Sequence, residues 1–333
     1  MVPVSGISVG EREIIQILLD KFKENAKAMP VPFGDDVSAY SIGKGRLAIL
    51  KTDMLVGKTD VPPKMSFWQA ARKAVVMNVS DFAAKGVKPK VMLVSLGLPG
   101  RLTVEDVKAI GDGLSAGARE YGVYIVGGDT NEASDLVISL SVFGMARKDE
   151  IMLRSGAKPG DVVAVTGLFG KASAGLKILL EGLEAPTSIR NTLIESVYMP
   201  TARLKEGLAL KRTRAATASI DSSDGLAWSL YEISKASGVG FLIDSPPVAP
   251  EAAKFAEINE LDPVELAFYG GEEYELVLTV KPELWDNAKK AVEKVGGSLV
   301  RIGRATAERQ VLMVINGERR MVEPRGWEHF RKN

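Results

Sequence analysis

Three times in this chain an apolar run leads directly into aspartate. Leu47 to Leu50 is followed by Lys51-Thr52-Asp53, Val123 to Val126 by Gly127-Gly128-Asp129, and Ala218-Ser219-Ile220 by Asp221-Ser222-Ser223-Asp224. Each run has the length and composition of a strand, and segments with helical apolar spacing separate them. The chain therefore reads as an α/β or α+β protein. Strand ends in such proteins are rigid and border crevices, so a side chain there can be aimed at a ligand with little entropic loss. Aspartate at a strand end also has a plain explanation as a turn or N-cap residue. Asp224 reads as the N-cap of the helix after it, whether or not it also serves a metal.

The helical segments are marked by their starts and stops. Ser8 and Glu11 form a capping-box pattern before Ile14, Ile15, Leu18 and Leu19, and Ser66 and Gln69 form another before a helix that Gly86 ends. A third helix spans Val104 to Glu120. Further strands are expected at Val91–Leu98, Leu136–Met145, Val162–Thr166, Ala215–Ile220, Leu276–Val280 and Gln310–Ile315. Further helices are expected after Gly170, near Ala202–Lys211, over Leu226–Lys235 and over Leu284–Val295. At 333 residues the chain exceeds the usual span of one core. The charged stretch from Arg147 to the turn Lys158-Pro159-Gly160-Asp161 is the natural boundary, giving domains of residues 1–148 and 149–333.

Composition narrows the chemistry. There are 43 basic and 42 acidic residues, so no charge excess points to nucleic acid or an anionic membrane. No apolar run approaches the ~20 residues that span a bilayer. The start, Met1 to Gly10, lacks a basic segment followed by an apolar stretch, and the expected location is cytoplasmic. The chain has no cysteine and one histidine, His329. Thiolate zinc sites, cysteine nucleophiles, serine–histidine hydrolysis and histidine phosphotransfer thereby become poor readings. The chemistry must run on carboxylates, hydroxyls, backbone amides and cations.

Asp81 stands out among the carboxylates. It lies in a helical stretch, Ala74 to Ala84, that is apolar on nearly all sides, and a buried carboxylate needs a cation. Two readings stand: a metal or ligand role, or a surface pair with Lys85 four residues on. Asp36, after Gly34-Asp35, is either a loop carboxylate of the same kind or a plain turn residue. Carboxylates with no histidine or cysteine favour hard, oxygen-loving cations, of which Mg²⁺ is commonly shared with substrate phosphates. Two glycine patterns are set aside. Gly167 to Ser173 follows a strand and precedes a helix, but Val165 and Ala172 break the P-loop pattern. Gly111, Gly113 and Gly117 fall inside the third helix, where close packing accounts for them.

Taken in order, Gly34-Asp35-Asp36, Lys51-Thr52-Asp53, Asn78-Val79-Ser80-Asp81, Gly127-Gly128-Asp129, Arg154-Ser155-Gly156-Ala157, Pro200-Thr201-Ala202-Arg203, Asp221-Ser222-Ser223-Asp224-Gly225, Gly270-Gly271-Glu272-Glu273-Tyr274 and Gly326-Trp327-Glu328-His329-Phe330 span nearly the whole chain. The ordered set resembles the thiamine-monophosphate kinase family of the aminoimidazole-ribonucleotide synthetase superfamily. The resemblance implies a two-domain fold and a homodimer whose amino-terminal domains share a β-barrel, with ATP and several Mg²⁺ ions between the domains. It implies Asp36, Thr52, Asp53, Asp81, Asp129, Asp221 and Asp224 as Mg²⁺ ligands, with Asp81 and Asp221 central to catalysis. Gly128, Asp129, Arg154 and Ser223 would touch ATP, and Asp60, Glu272 and Trp327 would lie on the substrate side. Outside the resemblance, Arg154 reads as a surface cation, Glu272 as a turn residue and Trp327 as a terminal plug on the core. The chain departs from the family pattern at Lys51, where many members carry Ser or Thr, and at Asp60, where many carry histidine.

The activity implied is in-line transfer of the ATP γ-phosphoryl group to thiamine monophosphate. The rivals are another ATP-dependent enzyme of the superfamily, such as a purine cyclo-ligase or a hydrogenase-maturation dehydratase, and a nucleotide-binding regulator without turnover. A selenophosphate synthetase is disfavoured by the absence of cysteine.

Overall fold

A computed structural model describes residues 10–22 and 29–330, so the capping serine expected at Ser8 lies outside the described residues. Helix α1 (Glu11–Phe22) is followed by β1 (Ser38–Ser41), β2 (Arg46–Val56) and a single turn, α2 (Gly57–Asp60). Then come α3 (Phe67–Ala84), β3 (Pro89–Leu98), α4 (Val104–Tyr121), β4 (Tyr124–Glu132) and β5 (Val137–Arg147). Their strands form a five-stranded sheet in the order β1-β2-β5-β3-β4. Only β3 and β4 run parallel. The sheet is open, with β1 and β4 as its edges, and among the described residues no barrel closes.

The remaining chain contains β6 (Val162–Val165), α5 (Lys171–Leu180), α6 (Thr187–Tyr198), α7 (Leu204–Thr213), β7 (Ala216–Ser222), α8 (Leu226–Ser237) and β8 (Gly240–Ile243). It ends with α9 (Pro250–Ile258), α10 (Pro263–Tyr269), β9 (Glu275–Val280), α11 (Trp285–Glu293), β10 (Val300–Thr306), β11 (Val311–Ile315) and β12 (Glu318–Met321). These strands build a seven-stranded sheet in the order β12-β11-β8-β10-β6-β9-β7.

Helix α3 joins the two sheets. Its start carries the full Ser66–Gln69 capping box, and fourteen of its eighteen residues are buried, so it has no solvent face of the usual kind. One side packs on α4, β2 and β5, and the other on β7, β9 and α7. Val75, Val79 and Phe82 thus share one core with Ile49 and Leu140 of the first sheet and Leu276 and Leu278 of the second. Burial of each such side chain is worth roughly 1.5–3 kcal/mol. Close approach of α4 to α3 needs Gly113 and Gly117, where an added Cβ would lie 2.2 Å from the Trp68 carbonyl oxygen and 2.9 Å from Val75 Cβ. Gly111 meets nothing within 4 Å, so packing does not explain it.

The strands differ from expectation where it matters most. β2 does not end at Leu50; its ladder with β5 continues from Lys51↔Val142 to Val56↔Val137. Asp53, Asp129 and Asp221 therefore lie inside β2, β4 and β7, not beyond their ends. Inside a strand the pleat, rather than a loop, decides which way a side chain faces.

Candidate active site

The junction between the sheets gathers three aspartates from distant parts of the chain. Asp36 comes from the turn before β1, Asp81 from the last turn of α3 and Asp221 from β7. They are 3%, 6% and 8% exposed. Each offers a carboxylate oxygen lying within 4.8 Å of those of the other two. Asp81 is thus neither a surface residue nor the partner of Lys85. Lys85 caps α3, and its ammonium meets Asp35 at 2.6 Å, Asp36 at 2.7 Å and the Ser219 carbonyl at 2.8 Å.

Each carboxylate has a different set of partners. Asp36 accepts from Arg154 Nε at 2.7 Å and from the same guanidinium's Nη2, besides the Lys85 contact. Arg154 is therefore a clamp on Asp36 and not a surface cation. Asp81 Oδ1 accepts from Lys51 Nζ at 3.0 Å. Asp221 Oδ2 accepts from the Ser80 hydroxyl at 2.7 Å, one residue before Asp81 on α3.

The electrostatics follow from these partners. Burial pushes the Asp36 carboxyl up, but Lys85 and Arg154 outweigh it and hold the group below the ordinary carboxylate range. Asp81 goes well above that range because burial, with Asp221, Asp36 and Asp53 close by, exceeds what one ammonium returns. Burial and Asp36 push Asp221 up to about 6. Lys51, shared among Asp81, Asp53 and Asp221, is held protonated despite its burial. The cluster is short of positive charge at Asp81 and Asp221.

The other candidate residues divide by the pleat. Lys51 and Asp53 lie on the face of β2 that carries buried Ile49 and Leu55. Thr52 points to the opposite face, where its hydroxyl accepts from Ser141 at 3.4 Å. Asp129 is on that opposite face too, since register runs from Asp129 to Ser95, to Ser139 and to Met54. Within one chain, therefore, Thr52 and Asp129 do not join the cluster. Gly128 sits where an added Cβ would lie 1.8 Å from the Val94 carbonyl oxygen, so its glycine is required by the closeness of β3.

Asp224 is not the N-cap of α8; that position is Gly225, which has no side-chain cap. Burial and Glu11 push the Asp224 carboxyl up to about 6, and Ser223 Oγ donates to it at 3.3 Å. Ser223 is exposed at the rim. Glu272 has φ +67°, so it does take a turn conformation, but its carboxylate also pairs with the ammonium of fully buried Lys73. Lys73 donates in addition to the Asp60 carbonyl at 2.9 Å. The Asp60 carboxylate is engaged by its own turn, accepting from the Val56 amide at 2.7 Å. Trp327 is 48% exposed and touches His329 edge-on, so it is not a plug on the core. In the loop before α5 the amides of Gly170 and Ala172 are already taken, donating to Glu273 at 2.6 and 3.1 Å.

Sequence reasoning missed the cations: Lys73 and Lys85 were not read as site residues, nor Lys51 as a partner of Asp81. An all-oxygen donor set, buried and deficient in positive charge, fits a hard divalent ion such as Mg²⁺. Asp36, Asp81 and Asp221 are the residues placed to hold it.

Comparison with known proteins gives a consistent picture. The model for AIR synthase related protein matches in two parts, the N-terminal domain over residues 34–146 and the C-terminal domain over residues 158–315. A thiamine-monophosphate kinase of Nitrosopumilus maritimus is 36% identical over 96% of this chain and 98% of its own length. One of Pyrococcus horikoshii is 36% identical over 96% of both chains. A solved structure, AaThiL complexed with AMPPCP and TMP, superposes with a TM-score of 0.85 at 29% identity, covering 99% of this chain and 100% of that one.

Proposed function

The chain belongs to the thiamine-monophosphate kinases of the AIR synthase related family, and from that premise we infer that it transfers the γ-phosphoryl group of ATP to the phosphate of thiamine monophosphate, releasing ADP and thiamine diphosphate. The observation that carries this reading is the convergence of Asp36, Asp81 and Asp221 at the junction of the two sheets. The fold is the two-domain α/β fold of that family, divided in our reading into residues 1–148 and 149–333.

When bound, Mg²⁺ neutralises phosphate charge and stabilises the charge that develops on the transferred group. Asp36, Asp81 and Asp221 would hold it, with Asp53 and Asp224 extending the set toward the rim. Asp81 and Asp221 are the central pair, since they alone of the three lack a full complement of cations. The acceptor phosphate is already anionic near neutral pH, so no strong base is needed and positioning dominates. A chain with one histidine suits such a reaction.

Arg154 and Ser223 would meet ATP beside Asp36. On the substrate side, Trp327 presents a half-exposed indole suited to stacking on a thiamine ring. Glu272 is oriented by Lys73, and Asp60 acts there through the carbonyl that holds Lys73. Thr52 and Asp129 fall on the exposed, partly apolar side of the first sheet, with Gly128 next to Asp129 in the edge strand β4. We read that face, with Leu50, Met54, Leu93 and Tyr124 on it, as the surface that a second copy covers to complete a barrel.

The direct test is product analysis. With ATP, Mg²⁺ and thiamine monophosphate, thiamine diphosphate and ADP should appear in equal amounts. ADP formation without thiamine diphosphate, or nucleotide binding without turnover, would contradict the reading.

A further inference from the structure

We propose that Lys51 is a resident cation of the carboxylate cluster, its ammonium holding the place of one divalent ion, so that the chain binds one metal ion fewer than its carboxylates would otherwise take. The proposal rests on the reading of the cluster as a metal site. It goes further by assigning a role to a residue that neither the three-aspartate convergence nor the reaction requires.

The three cations around the cluster are not alike. Lys85 is fully buried and divided among Asp35, Asp36 and the Ser219 carbonyl, so it ties the turn before β1 to β7. Arg154 is spread over Asp36 and the Gly34 carbonyl, the latter at 2.7 Å. Both have structural duties away from the centre. Lys51 enters from β2 and donates to Asp81 Oδ1 at 3.0 Å, with a side chain 22% exposed. Asp81 is a carboxylate that the metal reading also claims, as is Asp53, two residues along the same face of β2.

Geometry sets the two uses in competition. Mg²⁺ binds carboxylate oxygen at about 2.1 Å and keeps several waters around it. An ammonium about 3 Å from the same oxygen takes one of its lone pairs and crowds the waters of that shell. The ammonium brings one positive charge where the ion would bring two. Lys51 thus relieves repulsion among the aspartates before any metal arrives, and it raises the barrier to metal uptake at Asp81. Removing the ammonium should open one more position.

The test counts Mn²⁺ bound by the full chain without nucleotide, from the electron paramagnetic resonance signal of free Mn²⁺. Lys51→Met should bind one more Mn²⁺ per chain than the unsubstituted protein. Lys51→Thr, smaller and with a hydroxyl, should do the same, and Lys51→Arg should keep the original number. The metal-free melting temperature of Lys51→Met should fall, and added Mn²⁺ should restore it. Equal Mn²⁺ stoichiometry and affinity in Lys51→Met, Lys51→Thr and the unsubstituted protein would overturn the role of Lys51. If Asp81→Asn and Asp221→Asn nevertheless lost Mn²⁺, the metal site itself would stand. If neither aspartate variant lost Mn²⁺, the metal reading and the role of Lys51 would fall together.

Discussion

Glu273 lies outside the carboxylate cluster yet shows the same consequence of burial. Its carboxyl is pushed up to about 7 by burial, although the amides of Gly170 and Ala172 pull it down. The folded chain therefore holds this proton more tightly than the unfolded chain, whose ordinary value is 4.5. The stability linked to it is complete below pH 4.5 and is lost as pH rises through about 7. We expect the protein to lose on the order of 2 kcal/mol through this group between pH 5 and pH 8. Urea unfolding at the two pH values checks it: Glu273→Gln should show a smaller loss than the unsubstituted chain. At this scale Asp81 was legible in the sequence, because aspartate among apolar residues needs an explanation, whereas Asp36 and Asp221 each had a plain turn reading beside the metal one. Their cations were not legible. Lys51 and Asp81 are 30 residues apart, Lys85 and Asp35 are 50, and Lys73 and Glu272 are 199, and no local pattern links such pairs.

Among the elements, α4 offers a paired test of packing. Gly113→Ala forces a Cβ to within 2.2 Å of the Trp68 carbonyl oxygen, so α4 must move off α3. The expected loss is about 1–3 kcal/mol. Gly111→Ala, with nothing within 4 Å, should instead gain about 0.5–1 kcal/mol from helix propensity. Both shifts are measurable in denaturant midpoints, and equal effects at the two positions would refute the packing account. The start of α3 was readable because its cap is strong, Ser66 with Gln69 forming a full capping box, and α4 has a second such box, Thr103 with Asp106, that the sequence reading did not use. Strand ends were misread for a physical reason. The apolar run of β2 stops at Leu50, but its ladder with β5 runs to Val56, since backbone hydrogen bonding does not require apolar side chains. That extension decides the site, because it places Lys51 and Asp53 on one face and Thr52 on the other.

For the whole molecule, two features set function: a central helix shared by both sheets, and one sheet face left apolar and exposed. The first brings Asp81 between Asp36 and Asp221. The second holds Leu93 in the middle of an open sheet, and Leu93→Glu should shift the protein toward monomer in sedimentation velocity if a second copy covers that face. An unchanged mass would remove the dimer from the account. No helix among the described residues is long and apolar enough to cross a membrane. The central claim is that buried aspartates at the sheet junction hold divalent ions for phosphoryl transfer. Steady-state ADP release with thiamine monophosphate, followed as Mg²⁺ is titrated, tests it most directly. Asp81→Asn and Asp221→Asn should each lower the rate by roughly 10²-fold or more at limiting Mg²⁺, in line with the loss of a transition-state charge stabiliser. Near-normal rates in both variants at limiting Mg²⁺ would contradict it.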